Sequence, residues 1–83
     1  MRNAGEFPGL VLPPAYHGVL RKRLTEIDMA NSATNCLIAQ ARAEGMVEAL
    51  EMLNALQAGQ IERLYVLIER AAMARLQELE RAQ

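Results

Sequence analysis

The side chains able to do chemistry are few and far apart. His17 and Cys36 are each the only residue of their kind. A thiol–imidazole pair or a Ser/His/Asp relay would therefore have to be assembled from distant positions, and one imidazole with one thiol is too small a set for a protein zinc site. Glu44, Glu48 and Glu51 recur at helical spacing. Carboxylates arranged in this way bridge metals only where histidines or further acids face them from a neighbouring helix, and no other segment offers such a stripe. The expectation is a solvated acidic face. The glycines at 5, 9, 18, 45 and 59 are scattered and follow no strand, so no phosphate-cradling loop exists. These patterns argue against an enzyme, and no catalytic, cofactor-binding or metal-ligating residue is expected.

Arg21-Lys22-Arg23 is the one basic run. It could contact phosphates or an acidic partner, but Glu26 and Asp28 weaken its local field and no aromatic ring interleaves it for base stacking. Nine basic and ten acidic side chains leave a net charge of -1, which gives no overall attraction for nucleic acid or an anionic membrane. Because a dimer would double the run, a dimeric helical nucleic-acid-associated regulator stands as the second reading. No apolar run approaches the length needed to cross a bilayer, and a lone cysteine suits a reducing compartment, so a cytoplasmic protein with no membrane association is expected.

The elements that would position these residues are helical. Pro8, Pro13 and Pro14 make residues 1–13 an extended arm, whose Phe7, Leu10, Val11 and Leu12 need an apolar surface to lie on. Pro14 suits the first position of a helix, and Tyr16, Val19, Leu20, Leu24, Ile27 and Ala30 form one stripe along residues 14–30. Asn31, Ser32, Thr34 and Asn35 prefer caps and turns, and the stripes on either side of them are rotated by about 100° at the helical repeat, which predicts a break. A second helix over 32–58 is expected to turn Ile38, Ala39, Ala43, Met46, Ala49, Leu50, Met52, Leu53 and Leu56 inward and Glu44, Glu48 and Glu51 outward. Gly59 is expected to end it in the left-handed conformation. A third helix over 60–82 carries Ile61, Leu64, Tyr65, Ile68, Ala71, Ala72, Leu76 and Leu79.

The result is an all-α chain: an arm of residues 1–13, then a single helical domain over 14–83 in which a short helix precedes a long antiparallel hairpin. A chain of 83 residues with 52% hydrophobic content buries only about 60 to 65% of its unfolded surface alone, and the apolar arcs on the last two helices are about twice the width that one helix contact covers. Pairing with a second copy into a coiled-coil-like bundle is the expected remedy, with Leu53, Leu56, Leu64, Leu67 and Ile68 as interface candidates. The architecture is similar to that of many small bacterial and phage interaction proteins, including secretion co-chaperones and dimeric RNA-binding hairpins, although fold alone does not fix function. A protein–protein interaction module, acting on itself and on a protein partner whose identity the residues do not specify, is the leading expectation.

Overall fold

A computed structural model describes residues 12–82. Helices account for 83% of it, and no strand occurs among the described residues. The expected arm falls mostly on residues 1–11, outside the described residues. Its last apolar group, Leu12, is buried, and with Pro13 it lines a shallow pocket against Asn54–Gln57 and Gln60.

Helix α1, Pro14–Asp28, opens with Pro14 in its first turn after Pro13, whose carbonyl accepts from the Tyr16 N–H at 2.9 Å. Proline costs nothing there because the first N–H groups of a helix have no intrahelical partner. Helix α2, Ala33–Met52, starts at an extended Ser32 whose hydroxyl accepts from the Asn35 N–H at 3.1 Å. Asn35 Nδ2 in turn donates to Asn31 Oδ1 at 2.7 Å. The polar cluster thus stabilises two separate helices by offering the backbone side-chain partners at the break.

The second connection differs from expectation. Helix α2 ends at Met52, and helix α3, Ala58–Arg81, already contains Gly59. The left-handed residue is Asn54, with φ 54°. The Asn54 N–H donates to the Glu51 carbonyl at 3.0 Å and the Ala55 N–H to the Leu50 carbonyl at 2.9 Å, the paired bonds of a Schellman stop with asparagine in the usual glycine position. After glycine, asparagine tolerates that conformation best. Gln60 Oε1 then accepts from the Gln57 N–H at 3.0 Å, closing the first turn of α3, which begins two residues before the expected start.

The core gathers Leu20 and Ile27 of α1, Cys36, Ala39, Ala43 and Val47 of α2, and Ile61, Leu64, Ile68 and Ala72 of α3. The contribution of α2 is a line of small residues, so the bulky groups of α1 and α3 close around it. Arg75 of α3 donates from Nε to the Ala30 carbonyl at 2.8 Å and pairs with Glu78 at 3.2 Å, pinning the α1–α2 turn to the third helix. The molecule extends 41 × 33 × 18 Å. Its least dimension is about two helix diameters, so every helix keeps one side in water.

Candidate functional site

The chemically capable residues stay apart. Cys36 is fully buried and its Sγ donates weakly to the Ala72 carbonyl at 3.7 Å. Burial raises its thiol above the ordinary value of 9.0, the Arg75 guanidinium offsets part of that rise, and Asp28 adds to it. A thiol held in its neutral form is a poor nucleophile. His17 is half-buried on α1. Among the described residues no group of three or more His, Cys, Asp or Glu side chains converges as metal ligands do.

The basic run is divided by the fold. Arg21 and Lys22 are exposed, beside a shallow groove shared with Gly18, Thr25, Glu26 and Met29. Arg23 is half-buried and holds both carboxylate oxygens of Glu26 at 3.0 Å, with Arg42 of α2 3.8 Å from the same carboxylate. Two free cations remain where three were expected.

The acidic residues also take a different place. Glu44, Glu48 and Glu51 raise the Tyr65 hydroxyl above its ordinary value of 10.0, after burial as the first cause. At about 100° per residue they lie a quarter turn from Cys36, Ala39, Ala43 and Val47, along an edge of α2 on which Glu48 and Glu51 are exposed and Glu44 is half-buried. Gln40 Nε2 donates to Glu44 at 3.3 Å on the same edge.

What sits opposite the core on α2 is apolar. Successive residues turn by about 100°, so the direction away from Cys36, Ala39, Ala43 and Val47 falls on Ile38, Ala41, Gly45, Ala49 and Met52. All five are exposed, and Leu37 and Leu53 flank them. Exposure is 53% at Leu37, 54% at Ile38, 77% at Met52 and 76% at Leu53. The expected inward stripe of α2 is thereby corrected: Ile38, Ala49, Met52 and Leu53 point out, whereas Cys36 and Val47 point in. Helix α2 carries apolar residues on two opposite sides, with the acidic edge and Arg42 between them, so its own pattern leaves the inward side undetermined. The strongly one-sided α3 and the close approach permitted by small residues decide it.

The five interface candidates separate accordingly. Leu64 and Ile68, each 1% exposed, lie inside the chain's own core, and Leu56 and Leu67 are half-buried against it. Only Leu53 stands on the open face. Ile38 is expected on the inward side and Gly45, as an interior glycine, is either tolerated or permits a close helix crossing; Leu37 alone is not singled out by a one-sided pattern, and a count of apolar residues on both sides of the wheel finds it. Among the described residues no helix is long and apolar enough to cross a membrane. Compared with known proteins, the chain matches no family model, no curated protein and no solved structure.

Proposed function

We propose that the protein is a helix-packing interaction module that associates with itself, completing a bundle that one chain leaves open, and that it has no catalytic role. The observation that carries this reading is the row of exposed large apolar side chains on the outward face of α2, Leu37, Ile38, Met52 and Leu53. A helix with two opposite apolar sides can bury only one of them against its own chain here, and a contiguous exposed apolar patch marks an interaction surface.

The magnitudes suit a reversible association. Four side chains on each of two copies, about two thirds exposed on average, at ~1.5 to 3 kcal/mol per fully buried side chain give a gross gain on the order of 10 kcal/mol. Association costs on the order of 4 to 15 kcal/mol, so the gain exceeds the cost only toward the low end of that range and a weak, reversible dimer is expected. Binding of a further protein partner would use the remaining exposed apolar groups, Val19 on α1, Met29 on the α1–α2 turn, and Val66 and Met73 on α3. The buried, unpaired thiol is compatible with a cytoplasmic setting.

Sedimentation equilibrium across micromolar to millimolar concentrations tests the reading. A concentration-dependent rise in mass is expected, and Ile38→Glu with Met52→Glu should give a monomer of unchanged helicity. A wild-type chain that stays monomeric throughout would end it.

A further inference from the structure

We infer that two copies of the chain pair through α2 in antiparallel fashion about a twofold axis at Gly45. The inference rests on the self-association proposed above and specifies its interface. The outward face reads alike from either end. Three residues before and after Gly45 stand Arg42 and Glu48, four residues away Ala41 and Ala49, seven away Ile38 and Met52, and eight away Leu37 and Leu53. Small residues occupy the centre, large apolar residues both ends, and the flanking charges are of opposite sign. A twofold interface requires a surface complementary to itself, and this order supplies one, whereas an unrelated partner would impose no such symmetry.

Gly45 is the second argument. A Cβ built there meets nothing within 4 Å, and the residue has ordinary helical geometry. Nothing inside the chain therefore needs a glycine in the middle of α2, where it weakens the helix relative to alanine. An intermolecular crossing does need one: with Ala41 and Ala49 one turn away on either side, the missing side chain lets a second backbone come close.

Antiparallel pairing about Gly45 puts Ile38 against the partner's Leu53 and Leu37 against the partner's Met52, so the four most exposed apolar groups of the face cover one another. It also brings Arg42 level with the partner's Glu48 and keeps Arg42 away from its own symmetry mate. Arg42 is more than half exposed and its contact with Glu26 is a long 3.8 Å, which leaves its guanidinium able to turn toward a new carboxylate. Electrostatic matching of this kind fixes register more than it adds affinity.

The test uses the full chain and sedimentation equilibrium. Gly45→Leu should remain monomeric where the wild type is dimeric, while the dilute protein keeps its helicity and melts no lower than the wild-type monomer. Glu48→Arg should weaken association by roughly tenfold, and Arg42→Glu added to Glu48→Arg should restore it to within about threefold of wild type. A Gly45→Leu protein that dimerises like the wild type, or a charge exchange that fails to rescue, overturns this interface while leaving self-association standing. A wild-type chain that never associates overturns both.

Discussion

Gly59 and Asn54 exchange roles between pattern and structure, and their substitutions should show it. Gly59 lies in the first turn of α3, and a Cβ there meets nothing within 4 Å. Gly59→Ala is expected to leave stability unchanged or raise it by up to ~1 kcal/mol, whereas Asn54→Ala, forced into the left-handed region, should lower it by about 1 kcal/mol. Urea midpoints of the two variants check both signs. Glycine signals a helix end strongly enough in sequence to mask the asparagine five residues earlier, so the stop was legible in kind and misplaced in position. A pH dependence belongs to the same scale. Cys36 and Tyr65 both hold their protons more tightly in the folded chain than in the unfolded one. Their contribution to stability is complete below the unfolded values, near pH 9 for the thiol and 10 for the phenol. It is lost as pH rises through the raised folded values, because the unfolded chain releases its protons first. Denaturation midpoints should thus fall as pH rises above about 9, and Cys36→Ala combined with Tyr65→Phe should flatten the decline.

Among the elements, α1 and α3 were legible because each has one apolar side, and α2 was not. The start of α1 at Pro14 and the break before α2 follow from proline and cap chemistry, both local, and both appear where the residues place them. The facing of α2 is a tertiary decision, made by which side admits the closest neighbours, and no property of its own sequence encodes it. The Arg75 contact is of the same long-range kind. Its Nε–H satisfies the Ala30 carbonyl at 2.8 Å, at a turn where helix α1 has ended and the backbone has few partners. Arg75→Ala is expected to destabilise the fold by about 1 to 2 kcal/mol, since a charged donor to a partly buried carbonyl is worth more than a neutral one. Arg75→Lys, lacking the fork that reaches both Ala30 and Glu78, should recover only part. Thermal melts of both variants at matched dilute concentration measure the difference without a contribution from association.

At the scale of the molecule, an all-α, three-helix fold was readable from periodicity and composition, while of the five expected interface residues Leu64 and Ile68 are used internally, Leu56 and Leu67 are half-buried, and Leu53 is exposed. Leu64 and Ile68 are the bulkiest regular apolar positions of α3, so they fill the intramolecular core first, and what remains outside is the second side of α2. The order of packing has a kinetic consequence. Each helix lies against the one that follows it in the chain, through connections of only four and five residues, 29–32 and 53–57. Contacts this close in sequence need little loop closure before they form, and helical domains of that kind reach their native state in microseconds to milliseconds. Stopped-flow dilution from urea should accordingly show a fast phase whose rate is the same at every protein concentration, with any concentration-dependent phase appearing only after helicity is complete. The chain would then meet its partner as a finished three-helix unit, and the time spent with α2 bare would be set by how many copies are present, not by how quickly one copy folds.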